Sequence, residues 1–499
     1  MDKTMYMHRL IDNNEAKLFF VSRPRRFGKS LTVSALKAIF QGRRELFEGL
    51  AIDKTDWAWE KYPVIHFEFN DFATDNLREF ELDFAAHIEK RLSDAGYVYD
   101  TSKTVQYNFG EAIAQLSAAN GGNGVVILID EYDAPILDTM HDEKLMSSVR
   151  QKLRDFYSPI KDLDGKLQFV FITGISKFSQ LSIFSELNNL TTITMNSEYA
   201  AICGFTRDEI VTQLAPEVEN LAKAMNISVN TALSRLKRKY DGYHFTKKSP
   251  DIYNPFSLLN SLKTRSLSNY WFATGTPTYL VTILKKKSYD LSKFSRGVTV
   301  MVESMTSFGN GDGSVIAALY QSGYLTIKSY DGKKYYRLGF PNEEVEDGFV
   351  QCLMEEYTVT TSGEIDEDLQ HLGSLISMGD INGFMTQIQQ IMSQIPFERN
   401  EPKLIEANFR NMLYLMIRST GHKVLVEYPV LGGRIDVFFQ TEQFAYVIEC
   451  KRDQSAAEAL AQIDEKKYAD KLSVQNKKIV KIGVNFSTEE RNLTEWKEG

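Results

Sequence analysis

Residues 124–129 read GVVILI, a run with no polar position in it, and the run ends in Asp130-Glu131. A strand without alternation must be covered on both faces, which is the condition of a central strand in a parallel sheet. Three more short runs read as strands: Lys17–Val21 (KLFFV), Pro63–Phe69 (PVIHFEF) and Leu167–Thr173 (LQFVFIT). Between them apolar residues recur at helical spacing, first Leu31, Ala35, Leu36, Ile39 and Phe40, then Phe80, Phe84, Ile88 and Leu92. Strand and helix in alternation predict a doubly wound α/β layer over the first third of the chain.

The chain is too long for that layer alone. Its 499 residues predict two to four domains. Apolar content of 43% and charged content of 25% are those of a globular protein. From about Phe205 the pattern turns helical, and Tyr324–Phe340 (YLTIKSYDGKKYYRLGF) reads as a hairpin turning at Asp331-Gly332. Ile395–Lys403 (IPFERNEPK) is polar, holds two prolines and is the expected linker. Residues 396–499 carry 16 Lys+Arg and 16 Asp+Glu, so the net charge of −8 belongs to the rest, weak support for a boundary there. The expected division is 1–204, 205–285, 286–395 and 396–499.

An acidic balance argues against a passive basic coat for nucleic acid, but leaves room for an enzyme with a local phosphate-contacting groove. Cys203, Cys352 and Cys450 lie far apart without C-x-x-C or Cys/His spacing, which fits a reduced intracellular compartment. The polar N-terminus has no signal-peptide core and no window approaches 18 apolar residues. Neither a secretory signal nor a membrane span is expected, and a cytoplasmic location is.

Gly28, Lys29 and Ser30 stand between the first strand and the first helix, where a phosphate loop belongs. The helix N-terminus attracts polyphosphate, Lys29 would reach the β- and γ-phosphates, and Ser30 would take Mg²⁺. The usual loop carries a glycine five positions before Gly28, where this chain has Arg23. Alone, the three residues are a weak sign. Asp130-Glu131, at the end of a buried strand and in the right order, makes it a strong one: Asp130 can hold the magnesium and Glu131 can polarise water. Thr173, at the end of its own strand, is either a γ-phosphate sensor or part of a plain turn.

A second set lies in residues 433–452, GRIDVFFQTEQFAYVIECKR. Two strands flank a polar turn, Gln440–Gln443, so Asp436 can meet Glu449 and Lys451, which share one strand face. Two carboxylates and the Cys450 carbonyl would make a hard oxygen site for Mg²⁺, and Lys451 would orient the nucleophile or stabilise the transition state. A hairpin with a solvated polar end is the plainer reading of these residues alone. Two neighbouring helices tilt the balance: Lys403–Ile417 carries Glu406 on the side of Phe409, Arg410 and Leu413, and Ser455–Leu472 carries Gln462, Lys466 and Ala469 on one stripe.

RPRRFGKSL, LIDEYDAP, FITGISKFS, FSELNNL, YDGYHF and YNPFSLL together resemble the bacterial AAA-ATPase-like proteins that carry a C-terminal PD-(D/E)xK nuclease domain. The resemblance runs over nearly the whole chain. It implies an AAA/STAND-like P-loop NTPase domain with a parallel sheet, a helical lid, a middle helical or winged-type region, and a C-terminal α/β domain of restriction-endonuclease type. In that family the phosphate loop is arginine-rich, so Arg23 is a family trait. The resemblance implies ATP on the loop residues Arg23, Arg25, Arg26, Phe27, Gly28, Lys29, Ser30 and Leu31, with Thr173 as sensor, Asp130 on the metal and Glu131 as base. It places Glu406, in the first nuclease helix, with Asp436, Glu449 and the Cys450 carbonyl on Mg²⁺, and counts Asp436, Glu449, Lys451 (the catalytic lysine) and Gln462, after the core strands, among the catalytic residues. Ile435 precedes Asp436 where the motif has proline. The chain begins almost at the segment matching Asp2-Lys3-Thr4, where relatives have further residues, so part of the surface near the adenine is expected to be missing or differently built.

The expected function is an ATP-binding, ATP-hydrolysing protein that gates a Mg²⁺-dependent nuclease domain. Nucleic acid is the expected partner, DNA ahead of RNA, with a homo-oligomer in view and no membrane. The alternative is a nucleotide-dependent switch or oligomeric scaffold that binds nucleic acid without cutting it. Arg235–Tyr240 and Lys285–Lys287 read first as solvated faces, with backbone tracking as the functional alternative. Lys177 is a candidate cation acting in a neighbouring subunit. The tasks of Arg25 and Arg26 are open between holding the γ-phosphate and supporting the loop.

Overall fold

The computed structural model describes the chain except residues 71, 141, 176–188, 273–283, 285–290, 307–311, 358–361, 395–401, 431–432 and 469–475. Lys177, Lys285–Lys287, Ala469 and most of the expected linker therefore lie outside the described residues, as does the side chain of Glu406. The chain divides into two compact units, one of residues 1–271 with 300–336, the other of 272–299 with 337–499.

The first unit is built on five parallel strands: β1 (Leu18–Ser22), β2 (Val64–Glu68), β3 (Val125–Asp130), β4 (Leu167–Gly174) and β5 (Thr191–Thr192). They lie in the order β2-β3-β4-β1-β5. Every residue of β1 and β3 is buried, as the unbroken apolar runs require. The helix Lys29–Phe40 turns Val33, Leu36, Ile39 and Phe40 into the core. Phe67 on β2 meets Phe109 and Phe156, whose rings stack at 4.6 Å. Burying each such ring contributes roughly 1.5–3 kcal/mol.

This strand order decides where the chemistry sits. β4 lies between β1 and β3, with Thr173 opposite Val21 and Ile172 opposite Ile129. The carboxyl ends of the loop strand and the acidic strand thus flank Thr173.

The helices Arg207–Gln213, Ala215–Ala224, Val229–Tyr240 and Pro255–Thr264 follow. They close over a cluster that includes Val218, Leu221, Leu236, Tyr240 and Leu258. Thr206 and Glu209 form a reciprocal capping box at the first of them. Lys237 and Arg238 are exposed, the solvated face expected of that basic run. The expected hairpin forms: β7 (Thr326–Tyr330) and β8 (Tyr335–Gly339) join β6 (Val298–Met301) in a sheet of order β6-β8-β7. Its turn has Gly332 at φ +81°, and the Asp331 carboxylate accepts from the N–H groups of Lys333, Lys334 and Tyr335.

The second unit carries a mixed sheet in the order β13-β12-β11-β10-β9, formed by β9 (Val424–Val430), β10 (Gly433–Gln440), β11 (Phe444–Arg452), β12 (Lys478–Ser487) and β13 (Asn492–Glu498). Only β11 and β12 are parallel among these neighbours, and the helix Ala456–Glu465 lies in the crossover that a parallel pair needs. Ile435, Phe438, Val447 and Ile463 form its core with the sheet. That helix is shorter than the expected Ser455–Leu472. Lys467 takes φ +50°, and the N–H groups of Lys467 and Tyr468 fold back to the carbonyls of Asp464 and Ile463, which ends it. Lys466 caps the helix and does not continue the stripe.

Candidate nucleotide and nuclease sites

Gly28 stands at φ +94° and starts the helix Lys29–Phe40. Only glycine adopts that conformation at little cost. Lys29 is buried at the first helical position, where the dipole favours an anion, and its ammonium donates to the carbonyls of Arg23 and Pro24 at 3.2 Å. Ser30 and Leu31 are exposed on the first turn, Leu31 at 74%. Phe27 is core: its ring meets Tyr243 edge-on at 4.7 Å and Phe245 at 5.6 Å. Arg25 and Arg26 are exposed, with Arg26 over the Phe256 ring at 5.3 Å. The Trp271 indole N–H donates to the Arg25 carbonyl at 3.0 Å.

Arg23 points the other way, into the protein. It is 1% exposed, and its guanidinium donates to the carbonyls of Ser22, Thr194, Tyr199 and Ala200 at 2.9–3.5 Å. It also lies 4.1 Å over the Phe245 ring. Burial lowers its pKa to about 10. Its Nη1 and Nη2 donors are taken up by Ser22 and by segment 194–200, so the direct nucleotide contact expected of Arg23 is not what this geometry offers.

At the end of β3, the Thr173 hydroxyl donates to Asp130 Oδ1. The Glu131 N–H reaches the same carboxylate oxygen at 3.1 Å. Glu131 itself sits at φ +53°, strain that costs about 1–3 kcal/mol in a non-glycine residue. Burial raises its carboxyl pKa; Asp130 and Asp133 push the same way, and Lys29 and Arg25 pull against them. Lys29, Asp130, Glu131 and Arg25 thus share one electrostatic neighbourhood. Asp133 enters it as well, and sequence reasoning missed it. Its carboxylate accepts the Ile175 N–H at 3.1 and 3.2 Å, fixing the chain as it leaves β4. An Asp two residues before Pro135 was the available signal.

In the second unit Asp436 and Glu449 come together across β10 and β11. Asp436 Oδ2 accepts the Cys450 N–H at 2.8 Å. The Gln462 amide donates to Glu449 Oε1, and the Lys451 ammonium donates to the amide oxygen of Gln462. One glutamine, held by the capped helix Ala456–Glu465, therefore orients both a carboxylate and the lysine. Burial raises the Glu449 pKa to about 8, with Asp436 adding to the rise and Lys451 opposing it. Burial also raises Asp436, against the pull of Arg410 and Lys451.

The donor set fits a hard divalent cation. Glu449 is 3% exposed, and its Oε2 is buried without a hydrogen-bond partner. A buried carboxylate oxygen left in that condition is costly unless it meets a cation or a proton. Asp436, Glu449 and the Cys450 carbonyl are the oxygens that could hold Mg²⁺ there.

The comparisons with known proteins agree with both halves of this geometry. The "Predicted AAA-ATPase" family matches residues 1–184, and the PD-(D/E)XK nuclease superfamily matches residues 404–496. A curated relative from Azotobacter chroococcum mcd 1, "Uncharacterized protein in vnfD 5′region", is 33% identical over 502 residues, 99% of this chain and 94% of its own length. The chain belongs to the AAA-ATPase-like family with a C-terminal PD-(D/E)XK nuclease superfamily domain. Among solved structures, the Aeropyrum pernix ORC2 protein (ADPNP-ADP complexes) matches at 11% identity and a TM-score of 0.26, covering 70% of this chain and 92% of that one. In this AAA-ATPase-like, PD-(D/E)XK chain no described helix is long and apolar enough to cross a membrane.

Proposed function

We propose that the chain binds and hydrolyses ATP and that its nucleotide state gates Mg²⁺-dependent cleavage of nucleic acid, DNA ahead of RNA, by the C-terminal domain. The observation that carries this reading is the chain Glu449–Gln462–Lys451 beside Asp436, with Glu449 Oε2 left unpartnered. Asp436 and Glu449 hold the metal, Glu406 stands by from the first nuclease helix, Lys451 stabilises charge on the phosphate, and Gln462 keeps the lysine and carboxylate in register. Bound Mg²⁺ supplies an activated water and neutralises the scissile phosphate. In the first unit Lys29 and Ser30 bind phosphate and Mg²⁺, Asp130 supports the metal, Glu131 acts as base and Thr173 couples the loop strand to the acidic strand. Arg25 and Arg26 face the γ-phosphate. The working division is 1–204 for the ATPase core, 205–285 for the lid, 286–395 for the middle region and 396–499 for the nuclease domain. Three cysteines outside any disulfide fit a cytoplasmic site of action, as a homo-oligomer in a bacterial cell.

The test incubates purified protein with single-stranded, linear and supercoiled DNA and with RNA, in Mg²⁺ or Mn²⁺, with and without ATP. Lys29→Ala and Asp436→Ala run beside the wild type. Cleavage surviving in Asp436→Ala ends the nuclease reading, and unchanged ATP affinity in Lys29→Ala ends the phosphate-loop reading. Binding without cleavage in the wild type selects the switch or scaffold instead.

A further inference from the structure

Glu427 gathers more positive charge than it can neutralise. Its Oε1 accepts from Arg410 Nη1 at 3.0 Å, and its Oε2 accepts from Arg296 Nη2 at 3.3 Å and Arg434 Nη1 at 3.4 Å. Arg296 also donates to the Glu427 carbonyl at 3.1 Å, and Arg337 adds a fourth guanidinium by donating to the Arg296 carbonyl. At Glu427 three cations meet one anion, and Arg410 also acts on Asp436.

Stability does not call for the arrangement. A partly exposed ion pair contributes about 0–1 kcal/mol, and like charges brought together on one carboxylate repel. Glu427 also stands at φ +47° within β9, a conformation that a strand residue avoids. What the arrangement suits is a second anion. Guanidinium forks bind phosphate with two parallel N–H donors, and Arg434 is 67% exposed and open to such a contact. Arg410 links the cluster to the candidate nuclease site, because it lines the cavity of about 130 Å³ that Asp436, Lys451 and Arg452 also line.

We infer that Arg296, Arg410 and Arg434, gathered by Glu427, form the track for the phosphodiester backbone of the strand that enters the Asp436–Lys451 cavity. This rests on the nucleic-acid reading above and adds the strand's path to it. Glu427 is a positioning residue; the arginines make the contact.

The test measures binding of a labelled 20-nucleotide single strand and the matching duplex to the full chain in Ca²⁺, across a KCl series. Arg434→Ala, Arg410→Ala and the double variant are compared with wild type and with Lys223→Ala, on a helix of the first unit. Each single substitution is expected to weaken binding about three- to tenfold near 100 mM KCl and to lower the slope of log K against log salt by about 0.7–0.9. Lys223→Ala leaves both unchanged. Because Arg434 is exposed, its variant keeps the test valid if Arg410→Ala fails to fold. A folded double variant with wild-type affinity and slope overturns the track alone. A wild type that binds neither probe overturns the nucleic-acid reading and the track with it.

Discussion

Thr173 donates its hydroxyl hydrogen bond to Asp130 across the β3–β4 pair. The same strand end also accepts the Arg23 N–H through the Gly174 carbonyl and the Tyr132 N–H through the Thr173 carbonyl. The end of β4 therefore bonds both to the segment that leads into Gly28 and to the acidic turn, through the adjacent residues Gly174 and Thr173. Thr173→Val keeps the shape but removes one of the two donors to Asp130 Oδ1, a loss of about 1–3 kcal/mol for a hydrogen bond to a charged group. ATP turnover is expected to fall about 10–100-fold while nucleotide affinity holds, as for other supports of a metal-binding carboxylate. Steady-state ATPase kinetics and nucleotide titration separate the two; equal losses in both would show Thr173 to be a binding residue.

Arg23 and its neighbours in the loop should divide by what they touch. Arg23→Ala removes the donors to buried carbonyls at Ser22, Tyr199 and Ala200 and to the partly buried Thr194 carbonyl, and is expected to cost about 2–4 kcal/mol, measured by urea unfolding. Arg23→Lys should not restore it, since one ammonium cannot reproduce the planar fork. Arg25→Ala and Arg26→Ala, both exposed, should shift stability by less than about 0.5 kcal/mol. Their effect is expected on ATP affinity or turnover.

The parallel layer was legible because unbroken apolar runs admit few other folds, and Lys29 and Asp130 could be placed from the ends of β1 and β3. Arg23 could not be read correctly. Its partners lie in segment 194–200 and at Phe245, and no local pattern announces that a guanidinium will be buried against them. Gln462 was found, but its bridging of Glu449 and Lys451 depends on a helix crossing the sheet at one height. Lys467 ended that helix through a left-handed residue where helical periodicity continued in the sequence. Arg410 was visible only as a neighbour of Phe409, because Glu427 lies on a strand beyond the helix that carries it.

Glu131 should set the pH dependence of ATP turnover. Its carboxyl pKa is raised, chiefly by burial, so the ionised base forms at higher pH than in an exposed glutamate. Turnover by the wild type should rise with pH through that raised value. Glu131→Gln should lose about 100-fold or more in kcat, with ATP affinity kept and the pH dependence flattened. A variant that loses affinity in the same proportion would place Glu131 in binding and not in proton transfer.

Glu449 predicts a coupling between protons and metal. With its pKa raised from 4.5 to about 8, the folded, metal-free protein holds a proton there at pH 7 that the unfolded chain has released. The folded state then binds more protons than the unfolded one between about pH 4.5 and 8, so this group's contribution to stability falls as pH rises through that window. A divalent cation must displace the proton, and its affinity should rise with pH up to about 8. Calorimetric titration with Mn²⁺ at pH 7, in two buffers of different ionisation enthalpy, should show close to one proton released per ion. Glu449→Gln should bind Mn²⁺ about 10–100-fold more weakly and release none. Proton release that persists in Glu449→Gln would assign the titrating group to Asp436 instead.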